Sequence, residues 1–436
     1  EVQIKQLNDR SKMYYTPNKE NNVFQLVVQY GAGEREFPKL GYAAQLMNNA
    51  GIMGAYEPQE LKEELSKLNA TCHVTADDDN LYIIMEGYEA TLPQACQLLS
   101  RQILMPKLDE KQLARLKGSA MGMRQQRKDN VSILNEALRQ YMLYGEKSDY
   151  IKELTDKEIY ELQISELTGD INRASNYEAK VFFTGTLPFD QVYDILSKNL
   201  PLVANERPSN SPQAKDMMPV TENTVYFLPN NDAEQAQIHL YIPMQKADKK
   251  DDVLRSAFNQ YFGLDFTGIV LNEIREKRSM AYTAYAFVGT QGIAGKASYL
   301  RGYIGTQNDK ANDALDVLMG LVNDMPKNPE RIDNIKSYLR QAMLTSHPSF
   351  RNKAMELVDL GYRGYTDDPA KENLPKVDAL TFDDIVKFYE ENIKDKPYCI
   401  SIMGNPKNID LKRLEKFGKV VKLNERKLFN TKDALF

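Results

Sequence analysis

The sequence predicts an α+β protein of two similar domains made by internal duplication, each a mostly antiparallel sheet with helices packed on one face. Three observations predict this. The order of elements from Val23 to Lys128 recurs from Gln235 to Leu344. Each copy closes on a strand, a glycine turn and a helix, VFFTGTLPFDQVYDIL from Val181 and CISIMGNPKNIDLKRL from Cys399. A polar stretch with three prolines, Arg207–Asn223 (RPSNSPQAKDMMPVTEN), lies between them and reads as a linker. The predicted division is therefore residues 1–206, a linker at 207–223, and residues 224–436. A chain of 436 residues exceeds one ordinary core, at roughly 150 residues per domain.

The first copy opens with an alternating strand, Val23–Tyr30, in which every second residue can face a core. Apolar spacing of three and four predicts helices over about Pro38–Ala50 and Pro58–Leu68. Strands over about Ala70–Thr75 and Asn80–Glu86 flank the turn Asp77-Asp78-Asp79, and helices follow over about Thr91–Ile103 and Asp109–Lys128. In the second copy the strand is Gln235–Ile242 and the helices are about Asp251–Phe262 and Phe266–Lys277. The strand pair is about Ala281–Val288 and Ala297–Gly305, and the long helices are about Asp309–Asn323 and Pro329–Leu344. Leu154-Thr155 and Leu380-Thr381 each precede a short helix.

Composition narrows the function. A net charge of −5 argues against nucleic acid as the main partner, since phosphate binding needs a basic surface. No apolar run is long enough to span a bilayer as a helix. The chain begins at Glu1 without a charged-then-apolar leader, which predicts a processed chain or a piece of a longer one. Cys72, Cys96 and Cys399 are odd in number and form no CxxC pair, so they read as free thiols. His73, His239 and His347 are too far apart to build a metal site locally. His73 with Asp77, Asp78 and Asp79 is the remaining metal candidate, and a solvated turn is the preferred reading of the three aspartates. The glycine-rich stretch Gly289–Gly305 follows no phosphate-binding order and reads as a hairpin.

The stretch with the most chemistry is Leu271–Tyr282, LNEIREKRSMAY, where Arg275 stands seven residues ahead of Tyr282. A guanidinium fork and a phenol can together hold a carbonyl oxygen as it becomes an oxyanion. On composition alone, Arg275 among Glu273, Glu276, Lys277 and Arg278 reads as a solvated charged face, and Tyr282 beside Tyr285 as strand packing.

The frame as a whole resembles the pitrilysin/insulinase family of zinc metallopeptidases, the inverzincins. The resemblance rests on KMYYTPNKENNVFQLVVQYGAGE (Lys12–Glu34), LGYAAQLMNNAG (Leu40–Gly51) and FTGIVLNEIREKRSMAYTAYA (Phe266–Ala286). It implies a pitrilysin/LuxS-like metallohydrolase fold. Active members carry His-x-x-Glu-His in the second segment, where two histidines bind zinc and the glutamate is the base. Here the slot reads Ala44, Gln45, Leu46, Met47, Asn48, and no acid lies between Glu110 and Asp129 to supply a third ligand. The resemblance therefore implies no zinc in this chain and a zinc-bearing homologous half, fused or separate, as its partner. Carried over by position, Arg275 and Tyr282 are the residues that such a half presents toward the other half's site. Arg278 is the alternative register. The implied function is the non-zinc half of a peptidase acting on peptides; the alternative is a proteolytically inactive scaffold. A periplasmic or secreted location follows from the resemblance only.

Overall fold

The computed structural model describes residues 1–264 and 267–434. Twelve strands form two six-stranded sheets. The first contains β1 (Gln3–Gln6), β2 (Lys12–Pro17), β3 (Val23–Tyr30), β4 (Thr71–Ala76), β5 (Leu81–Tyr88) and β6 (Ala179–Gly185), in the order β1-β2-β6-β3-β5-β4. The second contains β7 (Thr224–Pro229), β8 (Gln235–Lys246), β9 (Thr283–Thr290), β10 (Ala297–Gln307), β11 (Cys399–Gly404) and β12 (Lys419–Lys422), in the order β12-β7-β11-β8-β10-β9. The sheets match strand for strand. In each, one parallel pair, β2–β6 or β7–β11, interrupts an otherwise antiparallel run of five strands. They differ at the outer edge: β1 is an N-terminal strand antiparallel to β2, whereas β12 is a C-terminal strand parallel to β7.

Strand alternation sets the cores. In the second sheet Ile238, Leu240, Ala284, Ala286, Leu300 and Ile304 pack against Val253, Phe258, Leu315 and Ile385 from the helices Asp252–Phe262, Ala311–Asn323 and Phe382–Asn392. In the first, Phe24, Leu26, Ile83 and Phe183 pack against Leu99, Ile171 and Leu196. The short helices after Leu154 and Leu380 both begin with a capping box, Thr155 with Glu158 and Thr381 with Asp384.

The opposite faces are covered by exchange. The helix Val131–Tyr144 crosses to the second sheet, packing Leu134, Ala137 and Leu138 on Leu228 and Met403, and Met142 and Leu143 on Tyr241 and Cys399. The helix Lys353–Tyr362 crosses to the first sheet and packs Ala354 on Val27 and Phe182. Each unit's own helices thus cover one face of its sheet, and one borrowed helix covers part of the other.

One expected element is shorter than predicted. The helix over Phe266–Lys277 is a single turn, Ile269–Leu271, that continues as a π turn, Asn272–Glu276; Phe266 lies outside the described residues. Among the described residues, no helix is long and apolar enough to cross a membrane.

Candidate functional site

The first unit's slot lies on the helix Leu40–Met47. Ala44 and Met47 face the core, only 1% and 2% exposed. Asn48 caps the helix and reaches the edge strand: its Nδ2 donates to Val74 O at 2.9 Å and to Ala44 O at 3.3 Å, and Val74 N donates to its Oδ1 at 2.8 Å. The side chain therefore closes a stretch of the open edge of β4, where an unpaired strand would otherwise expose its backbone. Asn259 does the same in the second unit. From the helix Asp252–Phe262, its Nδ2 donates to Val288 O at 2.9 Å and its Oδ1 accepts from Val288 N at 2.6 Å. Asn48 is thus a clamp on its sheet, with its amide fully engaged. An alanine methyl, a buried thioether and an engaged amide do not fit a zinc ligand set.

The aspartate turn is also internally engaged. Asp77 accepts from the backbone of Asp79 and Asn80 and from the Tyr82 hydroxyl, and Asp78 and Asp79 pair with Arg35. Among the described residues, no group of three His, Cys, Asp or Glu side chains is arranged to hold a metal ion.

The second unit's motif is built differently. The π turn is closed by Lys277 N donating to Asn272 O at 2.9 Å, and π turns often mark functional sites. Ile274 is fully buried and anchors the turn. The chain then reverses through Ser279, whose φ of 51° is left-handed, with Ser279 N donating to Arg275 O and Met280 N to Ile274 O, both at 2.9 Å. Thr306 Oγ1 fastens Met280 O from β10. These bonds fix where Arg275 leaves the backbone. Tyr282 is fixed by its own N–H, which donates to Gly305 O at 2.8 Å.

Arg275 and Tyr282 line one open cleft of about 360 Å³, together with Glu276, Gln307 and Lys310. The Tyr282 side chain is 52% exposed, and its hydroxyl accepts from Gln307 Nε2 at 3.3 Å, leaving its proton free to donate. Among the described residues, the one ionic partner of Arg275 is loose, with Nε 3.7 Å from Glu276 Oε1. Lys310 reaches over the cleft to Ser279 O at 3.2 Å. Arg278 turns aside to Glu273, already held by Lys277, and does not line the cleft. Arg275 is therefore the arginine that shares a cavity with Tyr282. Gln307 and Lys310 were not legible as site residues, because they join the cleft only through the pairing of β9 with β10.

Residues 175–339 match the family model of the peptidase M16 inactive domain. Over that stretch the chain is similar to an M16 inactive domain. This agrees with the resemblance to the non-zinc half of the pitrilysin-type peptidases. The match runs from just before β6 into the helix Ile332–Thr345 and includes Arg275 and Tyr282 but not the degenerate slot. No curated protein matches the chain by sequence. Among solved structures, the fold is shared with a peptidase M16 inactive domain from Pseudomonas fluorescens, at 17% identity and a TM-score of 0.71, covering 94% of this chain and 99% of that one. It is shared with a mutant of the ferredoxin protease FusC in complex with Arabidopsis ferredoxin, at 13% identity and 0.72, covering 93% of this chain and 45% of that one. It is also shared with the periplasmic protease PqqL from Escherichia coli, at 13% and 0.69, covering 93% and 46%. The chain thus spans nearly the whole length of the first of these and about half the length of the two proteases.

Proposed function

We propose that residues 1–206 and 224–436 together form the non-zinc half of an M16-type peptidase. Its partner is a homologous zinc-bearing half, on the same or another polypeptide, and its substrates are peptides. Arg275 and Tyr282 are the donors it contributes. A guanidinium keeps its charge across ordinary pH and offers a fixed fork, and a phenol donates one directed hydrogen bond. Placed at a peptide carbonyl, both interactions strengthen as the oxygen gains negative charge, which is the condition for accelerating acyl transfer. The observation that carries this reading is the contrast between the units: Arg275 and Tyr282 open onto one cleft, while Ala44, Met47 and Asn48 are consumed by packing and by the edge clamp. This chain holds no cofactor of its own in this reading; the zinc lies in the other half. The filled slot taken alone also suits a peptide-binding scaffold without proteolysis, and the open, loosely paired Arg275 favours the first reading.

The test is cleavage of a quenched fluorescent peptide by this chain with zinc, alone and then mixed with a zinc-bearing half from the same source. The expected result is no cleavage alone and cleavage on mixing. Cleavage by this chain alone that a chelator abolishes overturns the reading of the slot. A stable complex that cleaves nothing selects the scaffold.

A further inference from the structure

On the face of the second sheet opposite its core, strands β9 and β10 carry a strip of aromatic and basic side chains. Ala284, Ala286, Leu300 and Ile304 point into the core, so Tyr285, Phe287, Arg301 and Tyr303 point the other way. The register sets Tyr285 across from Tyr303 and Phe287 across from Arg301. The rings of Tyr285 and Tyr303 lie 5.4 Å apart, and the Arg301 guanidinium lies 5.7 Å from the Phe287 ring. Gln307 has the same parity along β10 as Arg301 and Tyr303, so the strip runs on into the cleft that Gln307 shares with Arg275 and Tyr282.

Arg301 is the unusual member. It is half-buried, and among the described residues no carboxylate lies within ion-pair distance of it. The hydroxyl of Tyr299 on the same strand is a neutral partner. The charged neighbour of Arg301 on the crossing helix Val131–Tyr144 is another arginine, Arg139, which takes both oxygens of Glu136, one at 2.8 Å and the other in a closer contact. Burial first, and then Arg139, hold the Arg301 guanidinium below the ordinary arginine value. Two half-buried guanidiniums thus share the field of one carboxylate, whereas buried cations are ordinarily paired. An arginine set against aromatic faces, with no anion on its fork, suits a planar anion.

We propose that Arg301, supported by Arg139, is a carboxylate subsite that takes an acidic side chain of an extended peptide lying along the Tyr285–Tyr303 strip. This rests on the reading that peptides are the ligands of the Arg275–Tyr282 cleft. Gly305, which binds the Tyr282 amide, lies four residue steps along β10 from Arg301. At about 3.3 Å per residue, the acid lies roughly 13 Å, or about four extended residues, from the residue held in the cleft.

The experiment is fluorescence anisotropy with this chain and two labelled peptides, both C-terminally amidated. They consist of alternating Ala and Ser and differ only in one central Glu or Gln. The Glu peptide is expected to bind about fivefold to tenfold more tightly at low salt. That preference disappears in Arg301→Gln and shrinks as salt rises. Arg301→Gln should melt with the wild type, and Arg301→Lys should keep part of the preference. Equal binding of both peptides by the wild type overturns the subsite, as does an undiminished preference in Arg301→Gln. If the peptides bind equally but both weaken in Arg275→Ala, the subsite fails and the cleft reading stands. If neither peptide binds, both fail. Tighter binding of both peptides, without a preference for Glu, when the C-terminus is left free assigns the strip to a terminal carboxylate and overturns the acidic side chain.

Discussion

Asn48 in the first unit and Asn259 in the second make the same pair of hydrogen bonds to the edge strand of their sheet, one at Val74 and the other at Val288. Around this shared clamp the units diverge. In the first, the residues beside it are Ala44 and Met47, packed out of reach of solvent. In the second, the chain beyond the clamp turns through a π segment and a left-handed serine to set Arg275 and Tyr282 at an open cleft. What the units share is the support of the sheet; what separates them is whether a reactive side chain can reach a ligand. A degenerate slot is thus a filled position with a structural duty, which explains why restoring single residues there should cost stability without giving metal binding.

The clamps can be broken one at a time. Asn259→Ala leaves a buried N–H and C=O of Val288 without partners and is expected to cost about 3 to 4 kcal/mol in urea unfolding. Asn48→Ala, at a half-buried site that water can partly repair, should cost about 1 to 2 kcal/mol. Equal losses would mean that the two clamps sit in equivalent surroundings. Acid should act on the second unit first. His239 is buried, donates from Nε2 to Asn135 Oδ1 at 2.8 Å, and has its pKa lowered to about 3 by burial and then by Arg139 and Arg301. The unfolded imidazole takes a proton near pH 6.5, which the folded one refuses until about pH 3. Stability therefore falls as pH drops through that window, by about 2 to 3 kcal/mol at pH 4, and His239→Gln should flatten the fall. Ala44→His pushes a ring into a filled core and should cost about 1 to 3 kcal/mol with no zinc retained through dialysis; retained zinc would reopen the slot.

The smallest effect belongs to the first unit and runs the other way. Glu34 has its pKa raised to about 7 by burial and then by Asp78, Asp77 and Asp149. Its folded state holds a proton that the unfolded carboxyl releases near pH 4.5, so stability is lost as pH rises toward 7. Because the group is partly solvated, the loss should be about 1 kcal/mol, and Glu34→Gln should remove it.

Much of this comparison was legible in the sequence. The strand Val23–Tyr30 and the helix Asp252–Phe262 announce themselves by period, and the duplication followed from element order. The spacing of Arg275 and Tyr282 was readable because a single turn and a strand start bring them together locally. The two crossing helices were missed. Val131–Tyr144 has both an apolar stripe and an Asn130 cap, but nothing in a local pattern says that its stripe belongs to the other unit's sheet. The short strands β1 and β12 were missed because edge strands bury little: every residue of β1 is exposed. Arg301, Gln307 and Lys310 acquire meaning only through the register of β9 on β10.

The central claim is that Arg275, and not its neighbour Arg278, is the arginine this chain brings to a peptide substrate. The most direct measurement is kcat/KM for peptide cleavage by the complete assembly carrying Arg275→Ala or Arg278→Ala, with zinc content determined alongside. A fall of about 100- to 1000-fold for Arg275→Ala, a change within about threefold for Arg278→Ala and unaltered zinc in both are expected. A loss confined to Arg278→Ala, or zinc lost together with activity in Arg275→Ala, would contradict it.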